Sequence, residues 1–276
     1  METRAKKSLG QHFLKDQTVI EHILAVAQIA PEEKILEIGP GTGALTEKLI
    51  ERVKKVIAIE LDHQMVEYLT QTLEASQGFS LLEANVLEVD LNELLVQAGF
   101  ESRGYKIVAN LPYYITAPII RTLLSLEITP KSLILMVQKE VAERITAKPG
   151  SMSLLSLMVQ YYADARIAFT VAATAFDPAP AVESAVIELR PMRVYDDEQD
   201  RRLFRIARAG FAARRKTLAN NFASSFQIER MRIEQALSSL GLRADIRAQA
   251  LSVAEWRGLV PVIENLEREK QTSVRG

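Results

Sequence analysis

The chain has 276 residues, 48% apolar and 25% charged, with a formal net charge of −1. That suffices for one large or two smaller soluble domains, and the global charge says nothing about a polyanionic partner. Cysteine is absent, which excludes disulfides, thiolate metal sites, a cysteine nucleophile for ring-carbon methylation of cytosine, cysteine-held iron–sulfur radical chemistry and a zinc deaminase. The three histidines, His12, His22 and His63, lack a ligand spacing, so no metal is expected. No apolar run approaches the roughly 18 residues of a membrane span. The charged start METRAKKSLGQHF does not read as a secretory signal. No membrane association and a cytoplasmic location are therefore expected.

In chain order, strands are expected near Lys34–Ile38, Val56–Glu60, Ser80–Ala84, Lys106–Ala109 and Leu133–Val137. Helical periods cover Asp16–Ala30, Ala44–Arg52, His63–Ala75, Ala117–Leu126, Lys139–Ala147 and Ser153–Tyr161. Strands alternating with helices imply an α/β fold with a parallel sheet covered on both faces. Two late apolar runs, Ala165–Ala172 and Ala185–Leu189, fit an antiparallel pair at one sheet edge, and Arg193–Asp200 reads as a linker. Beyond it Arg201–Phe222, Ile228–Leu240, Ala244–Ala250 and Val253–Glu269 are helical in period, with Gly241 as a helix stop and Asp245 as a cap. The expected organisation is a catalytic domain over residues 1–192 and a small all-α domain over residues 201–276.

Ile35-Leu36-Glu37-Ile38-Gly39-Pro40-Gly41-Thr42-Gly43-Ala44 reads as strand, glycine turn and helix start. Gly39 and Gly41 let the backbone approach a ligand, and Glu60, ending the next strand, can accept hydrogen bonds from both hydroxyls of a ribose. Gly39, Gly41 and Ala44 alone also satisfy the dinucleotide fingerprint. Glu37 discriminates: a carboxylate there repels a pyrophosphate but suits the ammonium and sulfonium of S-adenosylmethionine, which favours a methyl donor over NAD. Asn85 follows the third strand; its position fits either a contact to a cofactor adenine or a turn residue capping the strand.

Asn110-Leu111-Pro112-Tyr113 closes the apolar run Lys106-Ile107-Val108-Ala109. The Asn110 carboxamide and the Leu111 carbonyl can both accept from an exocyclic amine, Pro112 fixes the turn, and Tyr113 offers a π-face. That set suits methylation of an amino group on a nucleobase. From Arg201 to Asn221 there are seven basic residues (Arg201, Arg202, Arg205, Arg208, Arg214, Arg215, Lys216) and no acid. The first fifteen residues carry Arg4, Lys6, Lys7 and Lys15 against Glu2. These are local basic surfaces on a nearly neutral chain.

With these residues in hand, the chain resembles the ribosomal RNA adenine dimethyltransferase family over nearly its whole length. Lys7-Ser8-Leu9-Gly10-Gln11-His12-Phe13-Leu14 is similar to the family's N-terminal segment, and Glu37 to Gly43 to its glycine loop. Ile59-Glu60-Leu61-Asp62 resembles its ribose-binding strand end, and Asn110-Leu111-Pro112-Tyr113-Tyr114-Ile115 its catalytic motif. Gln138-Lys139-Glu140-Val141-Ala142, the segment from Ala175 to Val186, and Phe211-Ala212-Ala213-Arg214-Arg215-Lys216-Thr217-Leu218 are similar to later motifs. The resemblance implies a Rossmann-like class I S-adenosylmethionine-dependent methyltransferase with a small C-terminal all-α RNA-binding domain. Residues 1–15 would cover the cofactor.

It implies cofactor contacts from His12, Leu14, Glu37, Gly39, Gly41, Glu60, Leu61, Asn85, Val86 and Asn110, and base stacking by Tyr113 and Phe176. RNA contacts would come from Arg208, Arg214, Arg215 and Lys216. The family usually has Asn where this chain has His12 and Asp where it has Asn85. His12 can still donate and Asn85 still accept, the latter without charge assistance. The implied reaction is dimethylation of two adjacent adenosines near the 3′ end of small-subunit rRNA, in an assembling 30S particle, by a monomer. The alternatives are the large-subunit dimethyltransferase type that gives macrolide resistance, and a non-catalytic RNA- or DNA-binding assembly or transcription factor on the same scaffold.

Overall fold

The computed structural model describes residues 6, 11–73, 76–192 and 196–273. Arg4, Lys7, the motif residues Ser8 to Gly10, the helix end at Ala75 and the linker residues Arg193–Tyr195 lie outside the described residues. The chain divides into two units, residues 1–143 with 162–194 and residues 144–161 with 195–276.

The first unit begins with β1 (Phe13–Leu14) and α1 (Gln17–Ala27), then alternates β2 (Lys34–Ile38), α2 (Ala44–Ile50), β3 (Lys55–Glu60), α3 (His63–Leu73), β4 (Phe79–Glu83), α4 (Leu91–Gln97), β5 (Tyr105–Asn110), α5 (Thr116–Leu124) and β6 (Ser132–Gln138). The chain continues through α6 (Lys139–Ile145) and α7 (Leu154–Tyr162), whose residues from 144 to 161 fall in the second unit. It returns with β7 (Ala163–Val171), β8 (Phe176–Asp177) and β9 (Ser184–Pro191).

Among the described residues, seven strands form one sheet in the order β4-β3-β2-β5-β6-β9-β7. The first five pair in parallel, while β9 runs antiparallel to both β6 and β7. The two late apolar runs thus form the expected antiparallel edge. Strands β5 and β6 are buried almost without interruption, the pattern of parallel strands covered on both faces. On one face, Ile20, Ile23, Leu24 and Ala27 of α1 recur at helical spacing and pack with Ile35, Val56, Val108 and Ile134. Asp16 starts α1 by accepting from the Thr18 and Val19 amides. Sequence patterning missed α4, which Asp90 caps through the Glu93 amide; at seven residues it is too short to show a clear period.

In the second unit α8 (Asp197–Gly210), α9 (Leu218–Phe226), α10 (Arg230–Ser239) and α11 (Val253–Ser273) follow. Trp256, fully buried, stacks on Phe211 with centroids 5.2 Å apart and meets Phe222 edge-on at 6.5 Å. Residues 144–161, which patterning groups with the sheet, cluster here, where the Gly150 and Met152 amides both donate to the Gln249 carbonyl.

Three helical expectations are corrected. The single helix over Arg201–Phe222 is two, broken after Gly210, where a Cβ would lie 2.4 Å from the Trp256 ring. The break is held by Asn221, whose Nδ2 donates to the Gly210 and Ala213 carbonyls, and by Thr217, which caps α9. Ala244–Ala250 is a turn with a 3₁₀ segment only at Ala248–Ala250. Asp245 caps nothing; its carboxylate pairs with Arg243. The linker ends sooner than expected, since Asp196 already caps α8, whereas Gly241 does follow the end of α10 in the left-handed region. Among the described residues no helix is long and apolar enough to cross a membrane.

At the end of the sheet remote from the glycine loop, the Lys106 ammonium is buried and satisfied. It donates to the Ala27 and Gln28 carbonyls and to Glu33 Oε2, each at 2.8 Å. Burial opposes ionisation of Glu33, but Lys106 and Lys131 hold its carboxyl below the ordinary 4.5. Lys106→Met strands these acceptors and is expected to cost about 3–5 kcal/mol in urea unfolding near neutral pH. Because the folded-state pKa is depressed, the stability from ionised Glu33 is fully present above 4.5. It is lost as pH falls through the lower folded value, so the gap between wild type and variant should narrow in acid.

Candidate active site

The carboxyl ends of β2, β3, β4 and β5 open into one cleft, roofed by Gln11–Leu14. The empty space within it, counted out into open solvent, is about 1030 Å³. His12, Leu14, Glu37, Gly39, Gly41, Glu60, Leu61, Asn85, Val86, Asn110, Leu111, Pro112 and Tyr113 all line it.

The glycine loop is shaped by close approach. Gly41 has φ +57°, and a Cβ there would sit 3.1 Å from the Phe13 ring that covers the loop. Glu37 is 2% exposed, and its Oε2 has no hydrogen-bond partner among the described residues. Burial, with the Glu60 charge adding to it, pushes its carboxyl up to about 8. The nearby Thr46 hydroxyl offsets part of this without reaching hydrogen-bonding geometry. A buried carboxyl group with one oxygen unpartnered among the described residues, lining a cleft, is suited to a cationic ligand group.

Glu60 is placed differently. Burial raises its pKa too, but its carboxylate accepts from the amides of Leu61, Asp62 and Gly41 at 2.9, 2.9 and 3.0 Å. These bonds fix Oε2 against the glycine loop and Oε1 against the chain that follows β3, and leave lone pairs for further donors. Asn85 has its Oδ1 on the Leu87 amide and its Nδ2 on Glu88, the geometry of a turn residue that also lines the cleft.

Asn110 Nδ2 donates to the His12 carbonyl at 3.2 Å, which orients the carboxamide and leaves Oδ1 unengaged among the described residues. The Leu111 amide is taken up by the Met136 carbonyl. The His12 ring stacks on Tyr113 at 5.6 Å and 24°. Its Nδ1 lies 2.7 Å from the Pro178 carbonyl, which can only accept, so Nδ1 carries the proton. Burial pushes the Tyr113 hydroxyl above its ordinary value, which keeps it a donor.

Phe176 is not brought to the cleft. It is 1% exposed within the α1-side core, and its strand β8 pairs with β1, so the structure makes it a packing anchor. In the second unit the basic run divides. Arg201 pairs with Asp197, Arg202 with Glu264 and Arg205 with Glu267, acids that the local sequence window does not contain. Arg208, Arg214, Arg215 and Lys216 are exposed and make no ion pair among the described residues. The last three sit on the turn between α8 and α9.

Sequence reasoning missed Asp62. It is buried and takes Lys6 Nζ at 2.6 Å and Gln11 Nε2 at 2.9 Å, which ties the roofing segment to the end of β3. It also missed Ser184, whose hydroxyl meets that of Tyr113. Both residues lie in segments that carry the family resemblance, but sequence reasoning assigned neither a role of its own.

This sheet and cleft define a Rossmann-like class I methyltransferase. The chain belongs to the ribosomal RNA adenine dimethylase family, whose sequence model matches residues 2–264. It is 40% identical over 258 residues to the ribosomal RNA small subunit methyltransferase A of Dehalococcoides mccartyi strain CBDB1, covering 93% of this chain and 87% of the relative. It is 40% identical over 266 residues to the protein of the same name from Streptococcus pneumoniae serotype 2, covering 94% and 92%. Among solved structures it is similar to a dimethyladenosine transferase from Plasmodium falciparum, with TM-score 0.73, 25% identity and coverage of 89% and 94%. The 23S rRNA methyltransferase ErmE shares the fold, with TM-score 0.69, 24% identity and coverage of 92% and 99%.

Glu37 yields a stability prediction with a definite sign. The folded chain holds the Glu37 proton up to about pH 8, while the unfolded chain releases it near 4.5. Between those values the residue destabilises the ligand-free protein, increasingly as pH rises. Glu37→Gln should therefore raise the thermal unfolding midpoint of ligand-free protein, and more at about pH 8 than at about pH 5. An equal change at both pH values would contradict the buried, protonated carboxyl.

Proposed function

We propose that this chain transfers methyl groups from S-adenosylmethionine to the exocyclic amine of adenosine in small-subunit ribosomal RNA, dimethylating two adjacent adenosines near its 3′ end. The observation that carries the reading is the Asn110 carboxamide, oriented by the His12 carbonyl so that its oxygen remains available beside the Leu111 carbonyl. The cofactor fits the residues present: Glu37 offers a cation a carboxyl oxygen that has no partner among the described residues, and Glu60 sits where ribose hydroxyls can donate to it. When bound, S-adenosylmethionine supplies a methyl group activated by its sulfonium.

The chain's own residues have a limited task. An adenine amine is a poor nucleophile because its lone pair is delocalised into the ring. Asn110 Oδ1 and the Leu111 carbonyl would accept both amine hydrogens, favour pyramidal nitrogen and aim its lone pair. Tyr113 would hold the extruded base by stacking, worth about 1–3 kcal/mol, comparable with the few kcal/mol of unstacking. No strong base is needed before attack, since the proton becomes acidic once the nitrogen is alkylated.

Small-subunit specificity is supported by the names of relatives at 40% identity. A large-subunit specificity has less support, since the structure bearing that name is similar at 24% identity, which speaks for the fold alone. The reading includes a cytoplasmic monomer acting on an assembling 30S particle. Arg208, Arg214, Arg215 and Lys216 would contact phosphates, which position RNA without specifying its sequence.

Asn110→Ala should lower single-turnover methyl transfer to undermethylated small subunits on the order of 10²–10³-fold, the scale for losing one oriented polar group at the reacting centre. Near wild-type turnover with the fold intact would sink the assignment. Arg214→Glu with Arg215→Glu should weaken RNA binding and reduce the slope of log affinity against log salt by about 1 per lost contact. Cofactor affinity should not move; unchanged RNA affinity would remove the basic turn from the interface.

A further inference from the structure

We infer that Ser184 is a positioning residue for Tyr113, part of a two-sided clamp, with His12, that sets which face of the tyrosine meets the substrate base. The inference rests on the reading of Tyr113 as the base-stacking residue. Tyr113 begins the 3₁₀ turn Tyr113–Ile115 at the cleft, with no helix or sheet ladder of its own to hold its ring. Its hydroxyl lies 2.6 Å from Ser184 Oγ.

Ser184 is fully buried and opens β9, where it pairs with Gln138 on one side and Val171 on the other. Its hydroxyl is therefore presented from a backbone fixed on both edges. The second side of the clamp is the His12 ring, stacked on Tyr113 at 5.6 Å and itself held by the bond from Nδ1 to the Pro178 carbonyl. The phenol is thus fixed at its tip by one segment and along one face by another, and the opposite face is left for a base.

Positions 12 and 184 belong to chain segments far apart in sequence, and both bear on this ring. A π-face in a defined orientation fixes the plane of a stacked base, and with it the direction of the amine relative to Asn110 Oδ1. Misorientation affects the chemical step more than cofactor binding.

A double-mutant cycle tests this. Ser184→Ala, Tyr113→Phe and the pair are compared in single-turnover methyl transfer to undermethylated small subunits, with cofactor affinity and thermal unfolding measured alongside. One lost hydrogen bond predicts that Ser184→Ala slows transfer about 3–10-fold, with unfolding midpoint and cofactor affinity near wild type. In the Tyr113→Phe background, where the hydroxyl is already gone, Ser184→Ala should change the rate by less than about 2-fold. Losses that multiply, or a Ser184→Ala rate equal to wild type, would overturn the inference and leave the stacking role standing. Tyr113→Ala separates the two levels: full activity in that variant would remove the stacking reading, and the clamp with it.

Discussion

A parallel sheet ends all its strands at one edge, and side chains along each strand repeat with a period of two. Both constraints act on three polar residues of this chain. Ile35 and Glu37 share a face of β2, as do Val56, Ala58 and Glu60 on β3, and Val108 and Asn110 on β5. The register aligns Glu37 with Ala58 and with Val108, so Glu60 and Asn110 each lie one repeat further along the same face. Ile35, Val56 and Val108 are core residues packed under α1. Apart from Lys106 at the start of β5, the same stripe is thus apolar beneath α1 and polar at the strand ends, and the core that fixes the sheet also fixes the site. The antiparallel β9 extends the arrangement: running the other way, it starts at this edge, which brings Ser184 beside the end of β6.

Electrostatics then separates two buried glutamates that sequence alone treats alike. Glu60 is surrounded by backbone donors, three amides that satisfy it whether or not a ligand is present. Glu37 has one oxygen without a partner, and the ligand-free chain meets that cost by keeping a proton. The difference assigns different ligand groups to the two. Glu60 retains capacity for neutral donors such as hydroxyls. Glu37 gains most from a full positive charge, because ionising it in an apolar site is favourable only when a counter-charge arrives with the ligand. A destabilised residue at the edge of the cleft would therefore favour a cationic ligand group such as the proposed cofactor carries.

Much of this was legible because it follows local rules. The strand periods, the glycine turn with Glu37, and the Asn110 motif are each carried by a few consecutive residues, and the structure brings Glu37, the glycine turn and Asn110 together in one cleft. What was not legible depends on partners distant in sequence. The pairing of Phe13–Leu14 with Phe176–Asp177 involves two residues on each side, too few for any pattern, and it draws Phe176 into the core. The acids that neutralise Arg202 and Arg205 come from α11, some sixty positions away. The break after Gly210 is held by Asn221, eleven positions on, which a helical period cannot register.

That break changes the meaning of the basic run. As one helix, Arg201–Lys216 would have spread its charge around a cylinder. As folded, three of its arginines face acids, in exposed pairs of a kind worth at most about 1 kcal/mol each. Their charge is then largely cancelled at any distance beyond the pair. The uncancelled charge is concentrated on Arg208 and on the turn Arg214-Arg215-Lys216. The turn is not loosely held: Asn221 is buried and binds the carbonyls of Gly210 and Ala213 on its near side, while Thr217 closes its far side by capping α9. A fixed backbone carrying three free cations loses less entropy on meeting a polyanion than three cations on a mobile loop would. The buried Asn221 thus serves the surface as much as the core, because it helps hold in one place the charge that the proposed RNA contact would use.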